Sequence, residues 1–232
     1  MLKIDATDRI CVAGLPRSGK TVLMRYLATL PRRVYIIDPL NQYGEFGEVG
    51  DVLSGKTRCV LRLDEFDMFE DVCKKLHHVS NVTLVVEEAE HFIAQGRKMG
   101  TYSASLIQMG RNWGIGIWCT TRRIQGISKT FFDLAQHVMF FRCGLKSRDY
   151  IADMIGQDYV RPVIKSRYNS TGYTITTLPE HAFLHFNLET EEAQISKLEL
   201  GARPHIETEG KAKKDKVSTV DESEKVENAQ AR

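Results

Sequence analysis

The chain has 232 residues, a formal net charge of +2, and 42% hydrophobic against 27% charged residues. These globular proportions exclude a polycation, an acidic solvating chain and a disordered polymer. Its five cysteines, Cys11, Cys59, Cys73, Cys119 and Cys143, are odd in number, lack C-x-x-C spacing and mostly sit in apolar runs. They read as reduced, buried thiols, which excludes a disulfide framework or a zinc site. No run approaches the ~18 apolar residues of a membrane helix. Met1–Asp5 is not the cationic start of a signal peptide. A soluble protein is expected.

Arg9–Ala13 is a short apolar run ending at Gly14, the pattern of a buried strand. From Thr21 to Leu30 the apolar residues Val22, Leu23, Tyr26, Leu27 and Leu30 recur at helical spacing. Val34–Ile37 predicts a second strand, followed by a polar loop carrying Gly44, Gly47 and Gly50. Arg58–Leu61 predicts a third strand, and Phe66–Leu76 a helix with Phe66, Phe69, Val72, Cys73 and Leu76 on one face. Further strands are expected at Val82–Val86, Gly114–Thr120 and Val138–Phe141, with helices at Ala104–Gln108 and Ser147–Ile155.

Strands alternating with helices predict an α/β domain whose mostly parallel sheet is flanked by helices. Tyr173–Thr177 and Phe183–Phe186, with Pro179 between them, predict a C-terminal edge hairpin. From Gly201 to Arg232 acidic and basic residues are equal in number, aromatic residues are absent and periodicity is lost. One domain over residues 1–200 and a charged, mobile tail over 201–232 are therefore expected.

Gly14-Leu15-Pro16-Arg17-Ser18-Gly19-Lys20-Thr21 matches G-x-x-x-x-G-K-[ST] in full. The glycines let successive backbone N–H groups close around phosphates, and the helix that follows adds its positive end. Lys20 then reaches the β- and γ-phosphates, and the Thr21 hydroxyl ligates Mg²⁺. The loop follows an apolar strand and opens an amphipathic helix, as that chemistry requires.

Val82–Val86 runs into Glu87-Glu88. Beside a phosphate loop, a carboxylate at such a strand end holds Mg²⁺, partly through water. A second carboxylate can deprotonate or orient the attacking water. Glu87 is the metal-side candidate and Glu88 the candidate base, although adjacent glutamates leave the division of roles open. Glu88-Ala89-Glu90 also reads as an acidic helix start.

Taken in order, these pieces resemble the HerA/FtsK superfamily of P-loop ATPases, and more narrowly the genome-packaging ATPases of membrane-containing tailless viruses with double jelly-roll capsids. The resemblance rests on Gly14–Thr21, Asp38-Pro39-Leu40-Asn41-Gln42-Tyr43, Glu87-Glu88, Gly110-Arg111-Asn112-Trp113-Gly114-Ile115-Gly116-Ile117, and Thr120-Thr121-Arg122-Arg123 with Ser128-Lys129. It spans about residues 8 to 160. The superfamily usually has Gln where this chain has the shorter Thr121, a residue that senses the γ-phosphate and the attacking water.

The resemblance implies a RecA-like core that binds ATP and Mg²⁺ and assembles as a homo-oligomeric ring, typically a hexamer. Hydrolysis would drive sequence-independent translocation of double-stranded DNA. An arginine from one subunit would complete its neighbour's site, and Arg111 and Arg122 are the candidates. The setting it implies is packaging of a viral genome in the host cytoplasm, with capsid or virion-membrane proteins at a packaging vertex as partners. Rival readings are a plasmid or conjugative DNA pump and a nucleotide switch that moves no DNA.

Gln95–Gly100, with Arg97 and Lys98, and the cluster Arg122, Arg123 and Lys129 supply basic loops suited to phosphate contacts without base readout. Lys211, Lys213, Lys214 and Lys216 are followed at once by acidic residues, which suits a docking segment as well as a DNA arm. His77-His78 ends an amphipathic helix and has no partner at metal spacing. Trp113 and Trp118 read as packing residues.

Overall fold

A computed structural model describes residues 4–47, 50, 52, 55–63, 65–165 and 178–198. Six parallel strands form the centre of the sheet: β1 (Arg9–Ala13), β2 (Val34–Ile37), β3 (Arg58–Leu61), β4 (Val82–Val86), β5 (Ile115–Thr121) and β6 (His137–Phe140). A parallel pair β7 (Cys143–Gly144) and β8 (Ile164–Lys165) stands apart. An antiparallel hairpin, β9 (Ala182–Asn187) and β10 (Glu192–Lys197), adds to the edge at β6. The order across the large sheet is β10-β9-β6-β1-β5-β4-β2-β3.

The helices are α1 (Lys20–Leu27), α2 (Phe66–Leu76), α3 (Thr101–Met109), α4 (Lys129–Asp133), α5 (Arg148–Ile155) and α6 (Gln157–Val163). Strands β1, β2, β4, β5 and β6 are buried at every position. Helices cover both faces, so each side chain meets apolar partners whichever way it points. On one face α1 presents Leu23, Met24 and Leu27 to Ile10, Val12, Ile36, Val85 and Trp118. The other face carries Cys11, Ile37, Leu84, Val86 and Ile117 under Phe69, Leu106, Phe131 and Ile151 from the remaining helices. All five cysteines are free and buried. Truncating a packed aliphatic residue here to Ala removes about 2–5 kcal/mol.

Several expectations shift. Helix α1 stops at Leu27, short of Leu30, and the chain turns toward Pro31, whose ring cannot continue a helix. Helix α3 is longer than its apolar pattern, because Glu70 accepts the Tyr102 and Ser103 N–H groups (2.5 and 3.0 Å) and extends it toward Gly100. The acidic start at Glu88 makes only a short 3₁₀ turn, Ala89–His91.

The edge hairpin forms, but Phe183–Phe186 pairs with the following strand β10. Tyr173–Thr177 and the 201–232 tail lie outside the described residues. Short elements α4, α6, β7 and β8 had no sequence signal of their own. Among the described residues no helix is long and apolar enough to cross a membrane.

Candidate active site

The phosphate loop is pinned at the carboxyl end of β1. Ala13 registers with Thr121 of β5 and Phe140 of β6. The Gly14 N–H donates to the Thr121 carbonyl (3.2 Å) and the Leu15 N–H to the Arg142 carbonyl (2.8 Å). A Cβ on Gly14 would lie 2.7 Å from Phe141 Cβ and 2.9 Å from Ser18 Oγ, so only glycine lets the chain turn here. Gly19 has φ +111°, and its missing side chain leaves room for Leu198 and Phe141, each 3.1 Å from that position. Arg17 is also held at positive φ (61°).

Lys20 is buried and donates from Nζ to the Leu15 carbonyl (3.1 Å), lying across the loop. Burial holds its pKa below the usual lysine value, and Glu88 and Glu87 oppose that shift. The Ser18 hydroxyl is buried and lacks a partner. Thr21 sits in the first turn of α1, where backbone N–H groups have no acceptor within the helix.

Strand order brings the other half of the site. β5 lies between β1 and β4, so its carboxyl end faces both the phosphate loop and Glu87-Glu88. Glu87 is 2% exposed. Its Oε1 accepts the Tyr43 hydroxyl, and its Oε2 accepts the Thr120 hydroxyl at 2.5 Å. Burial raises the Glu87 pKa, while the two hydroxyls hold the rise back. Burial, reinforced by Glu87, pushes the Tyr43 phenol well above its ordinary value. Tyr43 is itself placed by Asp38, whose Oδ2 accepts the Gln42 and Tyr43 N–H groups (2.7 and 3.0 Å).

Glu88 adopts a left-handed backbone (φ 50°) that turns it out of line with Glu87. Its N–H donates to Thr120 Oγ1 (3.2 Å). Its carboxylate meets Arg122 Nε at 2.8 and 3.0 Å from the two oxygens. Arg122 therefore stands at the chain's own site.

Arg111 does not. It precedes β5, at the amino ends of the parallel strands, paired with Glu189 (2.9 Å) and Asp8 (3.6 Å). Thr121 is at the site, but its hydroxyl donates to the Arg123 carbonyl (3.0 Å) and accepts the Arg123 N–H (3.1 Å), closing a turn at the strand end.

The two basic loops run side by side. Ala94 bridges Ile127, the Gln95 N–H donates to the Gly126 carbonyl (2.8 Å), and Gln95 Oε1 accepts the Lys129 N–H (2.9 Å). Arg97, Lys98, Arg122, Arg123 and Lys129 are exposed.

The residues suit a nucleotide phosphate. An unpartnered buried hydroxyl, a lysine lying across a glycine-lined loop and open helix N–H groups converge on one cradle. They also suit Mg²⁺, a hard cation that takes oxygen ligands and keeps much of its water. Thr21 supplies a hydroxyl and Glu87 a carboxylate. Among the described residues no cluster of three or more His, Cys, Asp or Glu side chains could hold a metal by itself.

Sequence reasoning quoted Tyr43, Asp38 and Thr120 as motif letters without roles. It missed Phe141 and Leu198, which pack against the loop.

The fold is that of a RecA-like P-loop NTPase, with eight mostly parallel strands between helices. No family model and no curated protein matches the chain. Solved structures do. One is the genome-packaging NTPase B204 of Sulfolobus turreted icosahedral virus 2 in complex with sulfate, at 19% identity and TM-score 0.71 over 85% of this chain and 99% of that one. In complex with AMPPCP the same NTPase gives 18% identity and TM-score 0.69 over 83% and 98%. The EccC ATPases 2 and 3 of Thermomonospora curvata give 11% identity and TM-score 0.53 over 84% of this chain and 37% of that one.

Proposed function

We propose that the protein is a Mg²⁺-dependent ATPase that moves double-stranded DNA, acting as the motor that packages a viral genome. The observation that carries this reading is that the carboxyl ends of β1, β4 and β5 present the phosphate loop, Glu87-Glu88 and both basic loops together. A nucleotide site and a phosphate-binding surface are thus parts of one rigid end of the molecule. The likeness in fold to B204, named as a genome-packaging NTPase and solved with AMPPCP, supports ATP as the nucleotide and packaging as the setting.

In this reading the loop N–H groups, Ser18 and Lys20 hold the phosphates. Thr21 and Glu87 would hold Mg²⁺, which when bound would supply charge neutralisation to the phosphates. Glu87 serves this role because Tyr43 and Thr120 fix its rotamer. Glu88 accepts the proton of the attacking water. Arg111, at the amino ends of the strands, is the arginine available to a neighbouring subunit of a hexameric ring. The exposed arginines and lysines contact duplex phosphates without reading sequence. Capsid or virion-membrane proteins at a packaging vertex supply the address, with the protein working in the host cytoplasm and entering the virion there.

The test is ATP turnover with Mg²⁺, with and without duplex DNA, for the wild type and Lys20→Ala. Turnover stimulated by DNA and lost in the variant supports the motor. Turnover indifferent to DNA, or surviving Lys20→Ala, refutes it.

A further inference from the structure

The C-terminal hairpin grips the phosphate loop at both ends. At the start of the loop, the Leu15 N–H donates to the Arg142 carbonyl (2.8 Å). Arg142 Nε donates in turn to the Leu178 carbonyl (2.8 Å), just before β9. At the other end, Leu198, the residue after β10, fills with Phe141 the space that a Gly19 side chain would need. Phe141 lies against Phe183 of β9, ring centroids 5.2 Å apart. The Leu198 N–H donates to the His181 carbonyl (3.0 Å), which closes the open end of the hairpin. Leu198, Phe141 and Phe183 are buried in one apolar cluster with Leu23 and Met24 of α1.

Gly19 holds φ +111°, a conformation that glycine enters and leaves at little cost. A glycine-rich loop left to itself samples many conformations, and nucleotide affinity falls by the fraction of them that is competent to bind. We infer that the C-terminal hairpin is a clasp that pre-organises the phosphate loop, with Leu198 as the positioning residue that keeps Gly19 in its nucleotide-ready conformation. The clasp presupposes that Gly14–Thr21 binds nucleotide phosphate. Leu198 acts on the nucleotide through Gly19. Once the loop is ordered, the groups that meet the phosphates are the same, so the clasp governs affinity and leaves the chemical step alone. The coupling runs both ways: a seated Leu198 favours nucleotide, and bound nucleotide favours a seated Leu198.

Two measurements test it. In the first, a fluorescent, non-hydrolysable ATP analogue is titrated with Mg²⁺ into the full chain carrying Leu198→Ala, Leu198→Met or Leu184→Ala, each well below its Tm. Leu184 is as buried as Leu198 but lies in the cluster on the opposite face of the sheet, so its truncation loosens the hairpin without reaching the loop. Leu198→Ala is expected to raise the Kd about ten-fold, the factor by which the competent fraction falls. The KM for ATP rises with it, while kcat holds. Leu198→Met, which keeps the volume, and Leu184→Ala are expected to keep the wild-type Kd. A wild-type Kd in Leu198→Ala, or an equal loss in Leu184→Ala, overturns the clasp.

The second measurement needs no variant. Nucleotide that favours the clasped loop must slow the opening of the hairpin end by the same factor. Hydrogen exchange at the Leu198 N–H of the wild type is therefore expected to slow about ten-fold on saturation with the analogue and Mg²⁺. Exchange at Leu198 that ignores bound nucleotide overturns the clasp. A slowing equal at every exchanging amide, which reports only stabilisation of the whole fold by its ligand, overturns it as well. A wild type that binds no analogue fails the nucleotide reading of the loop, and the clasp falls with it. A wild type that binds, with exchange at Leu198 unmoved, fails the clasp alone.

Discussion

The Thr120 hydroxyl joins the Glu87 carboxylate to the Glu88 backbone. It donates to Glu87 Oε2 at 2.5 Å and accepts the Glu88 N–H at 3.2 Å. One small side chain on β5 thus sets the rotamer of one glutamate and the backbone of the next.

Thr120→Val keeps the shape and removes both bonds. A buried carboxylate oxygen and a buried N–H would then lack partners, a loss of about 1–3 kcal/mol. The expected outcome in calorimetry is a lower Tm. Turnover is expected to fall by about 10²-fold, on the scale of misplacing a catalytic group, with a higher Mg²⁺ requirement. A variant with wild-type turnover would show that Glu87 needs no such support.

Glu87 is buried with its pKa raised, so the folded protein binds that proton more tightly than the unfolded chain does. Its contribution to stability is therefore greatest at low pH and declines as pH rises from the ordinary carboxylate value of 4.5 through the raised one. Burial makes the ionised form of Glu87 costly in the metal-free fold. Glu87→Gln is expected to raise the metal-free Tm by about 2–4 °C, the equivalent of about 1 kcal/mol in a domain this size, while abolishing Mg²⁺-dependent turnover. A lowered Tm at neutral pH would contradict the electrostatic account.

Gly19→Ala places a side chain at φ +111°, against Leu198 and Phe141. Such backbone strain amounts to about 1–3 kcal/mol. Nucleotide affinity, measured with a fluorescent ATP analogue, is expected to fall more steeply than stability, because the strain is relieved by deforming the loop. Unchanged affinity would mean that the loop tolerates another geometry.

His185 and His137 form a buried pair on β9 and β6, Nε2 to Nδ1 at 3.0 Å, and His137 Nε2 donates to Asp8 (3.3 Å). Burial, and then His137, push the His185 pKa down from 6.5 to about 3. The folded state keeps it neutral while the unfolded chain takes up a proton. Its contribution to stability is whole above about pH 6.5 and is lost as pH falls toward 3. His185→Gln, which can still donate to His137, is expected to flatten the loss of Tm across that window. An unchanged slope would place the acid sensitivity elsewhere.

Some of this was legible before any coordinates. Gly14–Thr21 is contiguous, and its chemistry is carried by neighbours in the chain, so the loop, its preceding strand and its following helix could all be read directly. The alternation of apolar strands with amphipathic helices specified an α/β sheet, because periodicity is a local property of the chain. Glu87-Glu88 stood out for the same reason, as charge at the end of an apolar run.

What the tertiary structure alone decided is who faces whom. Periodicity assigns a side chain to a face and says nothing of which strand lies next door. Only the strand order places β5 beside both β1 and β4, which turns Thr120 into the link between Glu87 and Glu88. Tyr43 reaches Glu87 across 44 residues and Arg122 reaches Glu88 across 34. The same packing separates two arginines that the sequence left equivalent. Arg122 follows β5 and lands on Glu88, whereas Arg111 precedes β5 and stands at the amino ends of the strands with Asp8 and Glu189.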